Sequence, residues 1–156
     1  MALEKGTGIK EGDRINLKQV IGRDGKTLAD MVDSKPMLLA AVKSECGMCR
    51  IATDAMRYIR EEVGQAGIRY YIAVLNPASS SSGFEYIDSL GIDVPAFLWN
   101  GEPESIPEVV PYHLLLDQAG VIIKRWPGSN QDKAIRDRMA NQIVIDTLRI
   151  AAPEKE

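Results

Sequence analysis

The sequence predicts a single α/β domain built on a mixed central sheet, and three observations carry that reading. The uninterrupted apolar run Pro36-Met37-Leu38-Leu39-Ala40-Ala41-Val42 has the composition of a strand buried on both faces of a sheet covered by helices. A helical apolar period and a second apolar stretch, 68–75, follow it, so residues 36–75 form one β-α-β unit with parallel strands. Residues 113–116 and 121–126 flank Asp117-Gln118-Ala119-Gly120 and read as an antiparallel hairpin, which makes the sheet mixed.

Taken in order, residues 1–12 are expected to be a flexible N-terminus. Arg14-Ile15-Asn16-Leu17-Lys18 alternates at the strand period, and Arg23-Asp24-Gly25-Lys26 carries an Asp-Gly turn signal, so an N-terminal β-hairpin is expected. The 36–42 strand is expected at the centre of the sheet. Met48, Ala52, Ala55, Ile59 and Val63 then recur at helical spacing, with Arg50, Asp54, Arg57 and Glu61 on the opposite stripe, and Gly64 and Gly67 end that helix. Ser79-Ser80-Ser81-Ser82-Gly83 reads as a surface loop before a short helix at 84–90. A strand over 94–99 is weakened by Pro95. Residues 100–108 form an acidic, proline-rich loop with Trp99 at its base, expected to border a substrate groove. The last helix is expected to be capped by Ser129 with Asp132 three residues on, and to bury Ile135, Met139 and Ile143. Residues 151–156 are expected to be a flexible C-terminus.

Composition removes several classes of function. With 156 residues, 45% hydrophobic and 26% charged, the chain can bury a core without disulfide staples or a structural metal. A formal net charge of -3 supplies no basic field for phosphate backbones, so no nucleic-acid partner is expected. No apolar stretch reaches the roughly 20 residues that span a bilayer, and the first residues lack a secretory signal, so the chain as given reads as cytoplasmic.

Chemistry concentrates at Cys46-Gly47-Met48-Cys49, where the first apolar strand meets the following helix. Positions i and i+3 of a first helical turn share a face and can form a disulfide. Unpaired N–H groups and the positive end of the helix dipole favour the thiolate at Cys46. Cys46 is therefore the expected nucleophile and Cys49, one turn deeper, the resolving thiol. The pair alone also suits half a zinc site or an inert structural bridge. Beyond the two cysteines the chain offers one histidine, His113, so no resident metal is expected, and no cofactor other than the redox-active disulfide.

These residues resemble the thioredoxin-like superfamily over most of the chain. The likeness is to disulfide reductases of the TlpA and ResA type and to the peroxiredoxin-like AhpC/TSA branch. It rests on Asp24-Gly25-Lys26-Thr27, on the apolar strand into Cys46-Gly47-Met48-Cys49-Arg50, on Val110-Pro111 before a strand ending Asp117-Gln118-Ala119-Gly120, and on Gly128 before the last helix. The resemblance implies a three-layer fold with helices on both faces, and thiol-disulfide exchange on protein disulfide or dithiol substrates with a separate electron donor. It also implies a cis Val110–Pro111 bond, with Val110 and Pro111 binding substrate as an added strand. It allows a periplasmic or other extracytoplasmic domain whose signal has been removed.

Departures qualify the likeness. Glu45 stands where thioredoxins carry an aromatic residue and opposes thiolate formation at Cys46. Met48 replaces the familiar proline, so Glu45, Gly47 and Met48 are expected to tune the pair. Ala40 replaces a buried acid, leaving another group or water to take the proton of the second thiol. Lys43 and Leu39 occupy the places where a peroxiredoxin needs threonine or serine and proline, which disfavours a thiol peroxidase. A copper- or partner-binding module without turnover is the competing class, with His113 approaching the cysteines as a soft-metal ligand.

Overall fold

The structure is a computed structural model that describes residues 9–152. Six strands form one sheet in the order β1-β4-β3-β2-β5-β6. They are β1 (Val20–Gly22), β2 (Met37–Val42), β3 (Arg69–Leu75), β4 (Ala96–Trp99), β5 (Tyr112–Leu116) and β6 (Ile122–Pro127). The sheet is mixed: β2, β3 and β4 run parallel, while β1, β5 and β6 pair antiparallel to their neighbours. Every residue of β2 is buried, because parallel β3 and antiparallel β5 flank it and both its faces are covered.

The four α-helices are α1 (Gly47–Ile51), α2 (Thr53–Gly64), α3 (Ser80–Leu90) and α4 (Lys133–Ala151). Met56, Ile59 and Val63 of α2, Tyr86, Ile87 and Leu90 of α3, and Ala140, Ile143 and Val144 of α4 all join the core on one face of the sheet. The other face is covered by Ile9, Ile15, Leu17, Leu28 and Ile106. Helical cover there is limited to the 3-10 turns Leu17–Gln19 and Leu28–Met31. The expected helical cover of both faces is therefore uneven, with the long α-helices on one face and 3-10 turns on the other. The crossovers β2 to β3 and β3 to β4 step the same way across the sheet, and connections of one hand then place both on one side.

Other expectations shift locally. Residues 14–18 form no strand; Arg14 makes one bridge to Val121, and the strand lies at 20–22 on the sheet edge. The N-terminal hairpin shrinks to the bridge between Ile21 and Thr27 around the turn at Gly25. The expected flexible termini fall mostly on residues outside those described. Within them, Ile9 is buried, Gly12 N–H donates to the Ile122 carbonyl, and Ala151 ends α4. Gly120 holds the N-terminal segment close: its φ is 87°, and a Cβ there would sit 2.5 Å from the Ile15 carbonyl oxygen.

The helix expected over 48–63 is two helices meeting at Ala52, where the Thr53 hydroxyl donates to the Arg50 carbonyl at 2.8 Å and bends the ladder. The serine run is not a loop. Ser79 caps α3 in a reciprocal bond with Ser82, and Ser80–Leu90 are helical. Asp132 rather than Ser129 caps α4, accepting from Ala134 and Ile135. Ile135 is exposed, and the buried stripe of α4 is Ala140, Ile143, Val144 and Thr147. No helix of the described residues is long and apolar enough to cross a membrane.

Candidate active site

The site is assembled where β2 ends. After Val42 the chain turns so that Cys46 N–H reaches back to the Lys43 carbonyl, and Glu45 takes the left-handed φ of 63° that redirects it. Cys46 is then the N-cap of α1, with extended backbone angles, and its Sγ accepts the Cys49 N–H at 3.0 Å. Cys46 and Cys49 form a disulfide with their Cα atoms 5.3 Å apart. Cys46 is half-buried and Cys49 is fully buried, so a partner can reach only the first sulfur without opening the helix.

The flanking residues leave that sulfur open. Gly47 is exposed, and a Cβ there would meet nothing within 4 Å. Met48 is half-buried, and Glu45 is exposed with no ion pair among the described residues.

Register brings a second segment to this end of the sheet. Tyr112 pairs with Ala41 near the end of β2, which sets Val110 and Pro111 beside the turn that carries the cysteines. The Val110–Pro111 bond is cis. The Pro111 carbonyl accepts the Gly128 N–H at 2.8 Å. Among the described residues none hydrogen-bonds the backbone N–H or carbonyl of Val110, and Val109 beside it is exposed. The acidic loop that leads here is folded: Pro103–Ser105 is a 3-10 turn, Ile106 is buried, and Asn76 pairs with Gly101 through both its amide atoms. Trp99 at its base is a core residue, 1% exposed.

His113 does not join the cysteines as a ligand. It lies opposite Ala40 in the β2–β5 pairing, is buried, and shares a 2.8 Å hydrogen bond between Nε2 and the Tyr70 hydroxyl. Burial pushes its pKa down to about 4, so the ring is neutral at pH 7, and burial raises the Tyr70 phenol well above its usual range. Among the described residues no three His, Cys, Asp or Glu side chains converge as a metal site would require. A cleft of about 680 Å³ exists elsewhere, near the starts of β3 and β4; its Arg60 faces Asp93 and its Arg69 pairs with Asp33. It lies at the end of the sheet away from the cysteines.

Two contributors to the site escape sequence reasoning. The Tyr86 hydroxyl of α3 donates to the Cys46 carbonyl at 3.3 Å, and the Arg50 guanidinium lies over the Tyr86 ring at 5.5 Å. Arg50 is held there by Ser89, through its Oγ at 3.0 Å and its carbonyl at 3.5 Å. Arg50 follows Cys49 in the motif, but its partners are 39 residues away, beyond any local pattern.

No protein-family model matches the sequence, and no curated relative matches it. Solved structures do match the fold. A thiol:disulfide interchange protein from a Bacteroides species is 15% identical, aligns over 95% of this chain and 94% of its own, and gives a TM-score of 0.65. The thioredoxin domain of a thiol-disulfide oxidoreductase from Bacteroides vulgatus is 14% identical over 90% of this chain and 99% of its own, with a TM-score of 0.64. The peroxidoxin BcpB from Mycobacterium tuberculosis is 14% identical over 93% and 99%, with a TM-score of 0.61. The chain has the thioredoxin-like fold.

Proposed function

We propose that this thioredoxin-like domain is a thiol-disulfide oxidoreductase acting on protein substrates through Cys46 and Cys49. The observation that carries the reading is the asymmetry of the pair: a half-exposed sulfur at a helix N-cap, bonded to a fully buried one. In the reduced state, N–H groups of the first turn and the helix dipole favour the Cys46 thiolate. That thiolate attacks one sulfur of a substrate disulfide, forming the Cys46–substrate bond and releasing the other substrate sulfur as thiolate. Cys49, once deprotonated, attacks Cys46 Sγ; the Cys46–Cys49 disulfide forms and the second substrate sulfur leaves. Two electrons pass from protein to substrate, and run in reverse the same steps oxidise a substrate dithiol.

Val110 and Pro111 are the proposed substrate contacts, since the free backbone groups of Val110 can pair with an extended peptide. Gly47 leaves room above the disulfide, while Glu45 and Met48 adjust its charge and polarity. The structural names of the similar proteins, two of them thiol-disulfide enzymes, agree with this reading.

The test is insulin reduction with a dithiol donor, together with a redox titration of the cysteine pair against glutathione. Turnover lost in Cys46→Ser, and partner proteins trapped as mixed disulfides by Cys49→Ser, are the expected results. A pair that does not equilibrate with glutathione in the folded protein would sink the proposal.

A further inference from the structure

One hydrogen bond reaches the backbone of the attacking cysteine from another helix, and a cation and a serine brace the side chain that makes it. The Cys46 carbonyl, which already accepts the Arg50 N–H at 3.2 Å, also accepts the Tyr86 hydroxyl. The Tyr86 ring lies beneath the Arg50 guanidinium, and Ser89 of the same helix anchors that cation while its own hydroxyl donates to the Tyr86 carbonyl at 2.6 Å. α1 has only five residues and ends at the Ala52 bend, so its own ladder holds its first turn weakly. α3 holds that turn at both ends, Cys46 and Arg50.

From this geometry we infer that Tyr86, polarised by Arg50, is a positioning residue that lowers the thiol pKa of Cys46. The inference rests on the exchange reading above. The carbonyl oxygen of Cys46 is the negative end of a dipole fixed beside its own sulfur. A donor aimed at that oxygen offsets its repulsion of a thiolate and keeps the Cys49 N–H directed at Sγ. A cation over the phenol makes its O–H a stronger donor. Burial raises the Tyr86 pKa, while Arg50 and the bond to Cys46 pull it down by less, so the phenol stays protonated and donating at neutral pH. The charged groups around it are few. Arg50 faces it from α1, and Asp88 on α3 is paired with Arg23, which also lies over Phe84. Glu45 and Lys43 on the turn are exposed. The relay thus supplies a favourable term on the helix side where Glu45 supplies an unfavourable one.

The experiment reads Cys46 alone, in Cys49→Ser protein, as the pH profile of alkylation by iodoacetamide. Tyr86→Phe should raise the midpoint and slow alkylation at pH 7 roughly fivefold, the worth of one hydrogen bond, while leaving the high-pH plateau unchanged. Arg50→Met should slow it in the same direction. Arg50→Lys, which keeps the cation but loses the planar fork, should fall between Arg50→Met and the parent. If Tyr86→Phe fails to fold, as read by its melting transition, the Arg50 pair decides by the same ordering. A low parent midpoint unmoved by Tyr86→Phe, or by Arg50→Met, overturns the inference and leaves the exchange reading intact. A parent midpoint in the ordinary thiol range overturns both.

Discussion

Cys46 and Ser79 hold the same position in two successive crossovers. Each follows a parallel strand, each is the N-cap of the next helix, and each side chain accepts the N–H three residues on, at 3.0 Å for Sγ and 3.1 Å for Oγ. From there they diverge. The α3 cap is reciprocal, because Ser82 bonds back to Ser79, and the helix runs eleven residues to a left-handed stop at Gly91. The α1 cap is one-sided and made by sulfur, a weak acceptor as a thiol and a strong one as a thiolate, and its helix bends after five residues. One junction uses the cap for stability. The other couples cap strength to the charge of a reactive atom and borrows its support from the first, through Tyr86 and Ser89.

Exchanging the chemistry of the two caps tests that contrast most severely. Cys46→Ser should abolish insulin reduction, a loss on the order of a thousandfold, yet keep the reduced protein's melting temperature, because serine is the better cap. A melting temperature well below that of the reduced parent would mean that serine does not replace the Cys46 sulfur as the cap of α1.

His113 of β5, hydrogen-bonded to Tyr70 on the strand that both crossovers share, gives the next effect. His113 has a folded pKa of about 4 against an ordinary value of 6.5, so between these values the unfolded chain binds more protons. Stability should therefore be full above pH 6.5 and fall as pH drops towards 4, by up to about 3 kcal/mol. Urea unfolding at several pH values reads it, and His113→Leu should flatten the slope. Ser79→Ala should cost about 1 kcal/mol in the same assay and leave insulin reduction within about twofold of the parent. Smallest is Thr53→Val, which removes the hydroxyl at the bend and should change stability by less than about 0.5 kcal/mol. A larger change would show that the bend itself is under tension.

Features written in contiguous residues were legible in the sequence. β2 needs only its apolar run, the cysteine pair only its spacing and the strand-helix junction, and the β5–β6 hairpin only its turn residues. What was missed depends on competition between equal local options. Ser129 and Asp132 are both good caps; Asp132 wins because Asn130 Oδ1 accepts its N–H, and Arg136 gathers the Asn130 and Gln131 carbonyls, fixing 129–131 as a loop. The serine run could be loop or first turn, and the Ser79–Ser82 reciprocity decides it. The distribution of helices depends on strand order, which no single segment encodes. Tyr86 illustrates the limit: its partner is 40 residues distant.

The central place of β2 also has a mechanical meaning. A partner joined covalently to Cys46 pulls on the 43–46 turn and through it on a strand that is hydrogen-bonded along both edges and buried on both faces. Peeling β2 away would require breaking two ladders at once, whereas yielding at the Ala52 bend strains only the few bonds that cross it, among them Ala52 N–H to the Met48 carbonyl and Met56 N–H to the Ala52 carbonyl. Tension from a bound partner is therefore absorbed in the short helix, beside the resolving thiol, and the anchor strand stays in place.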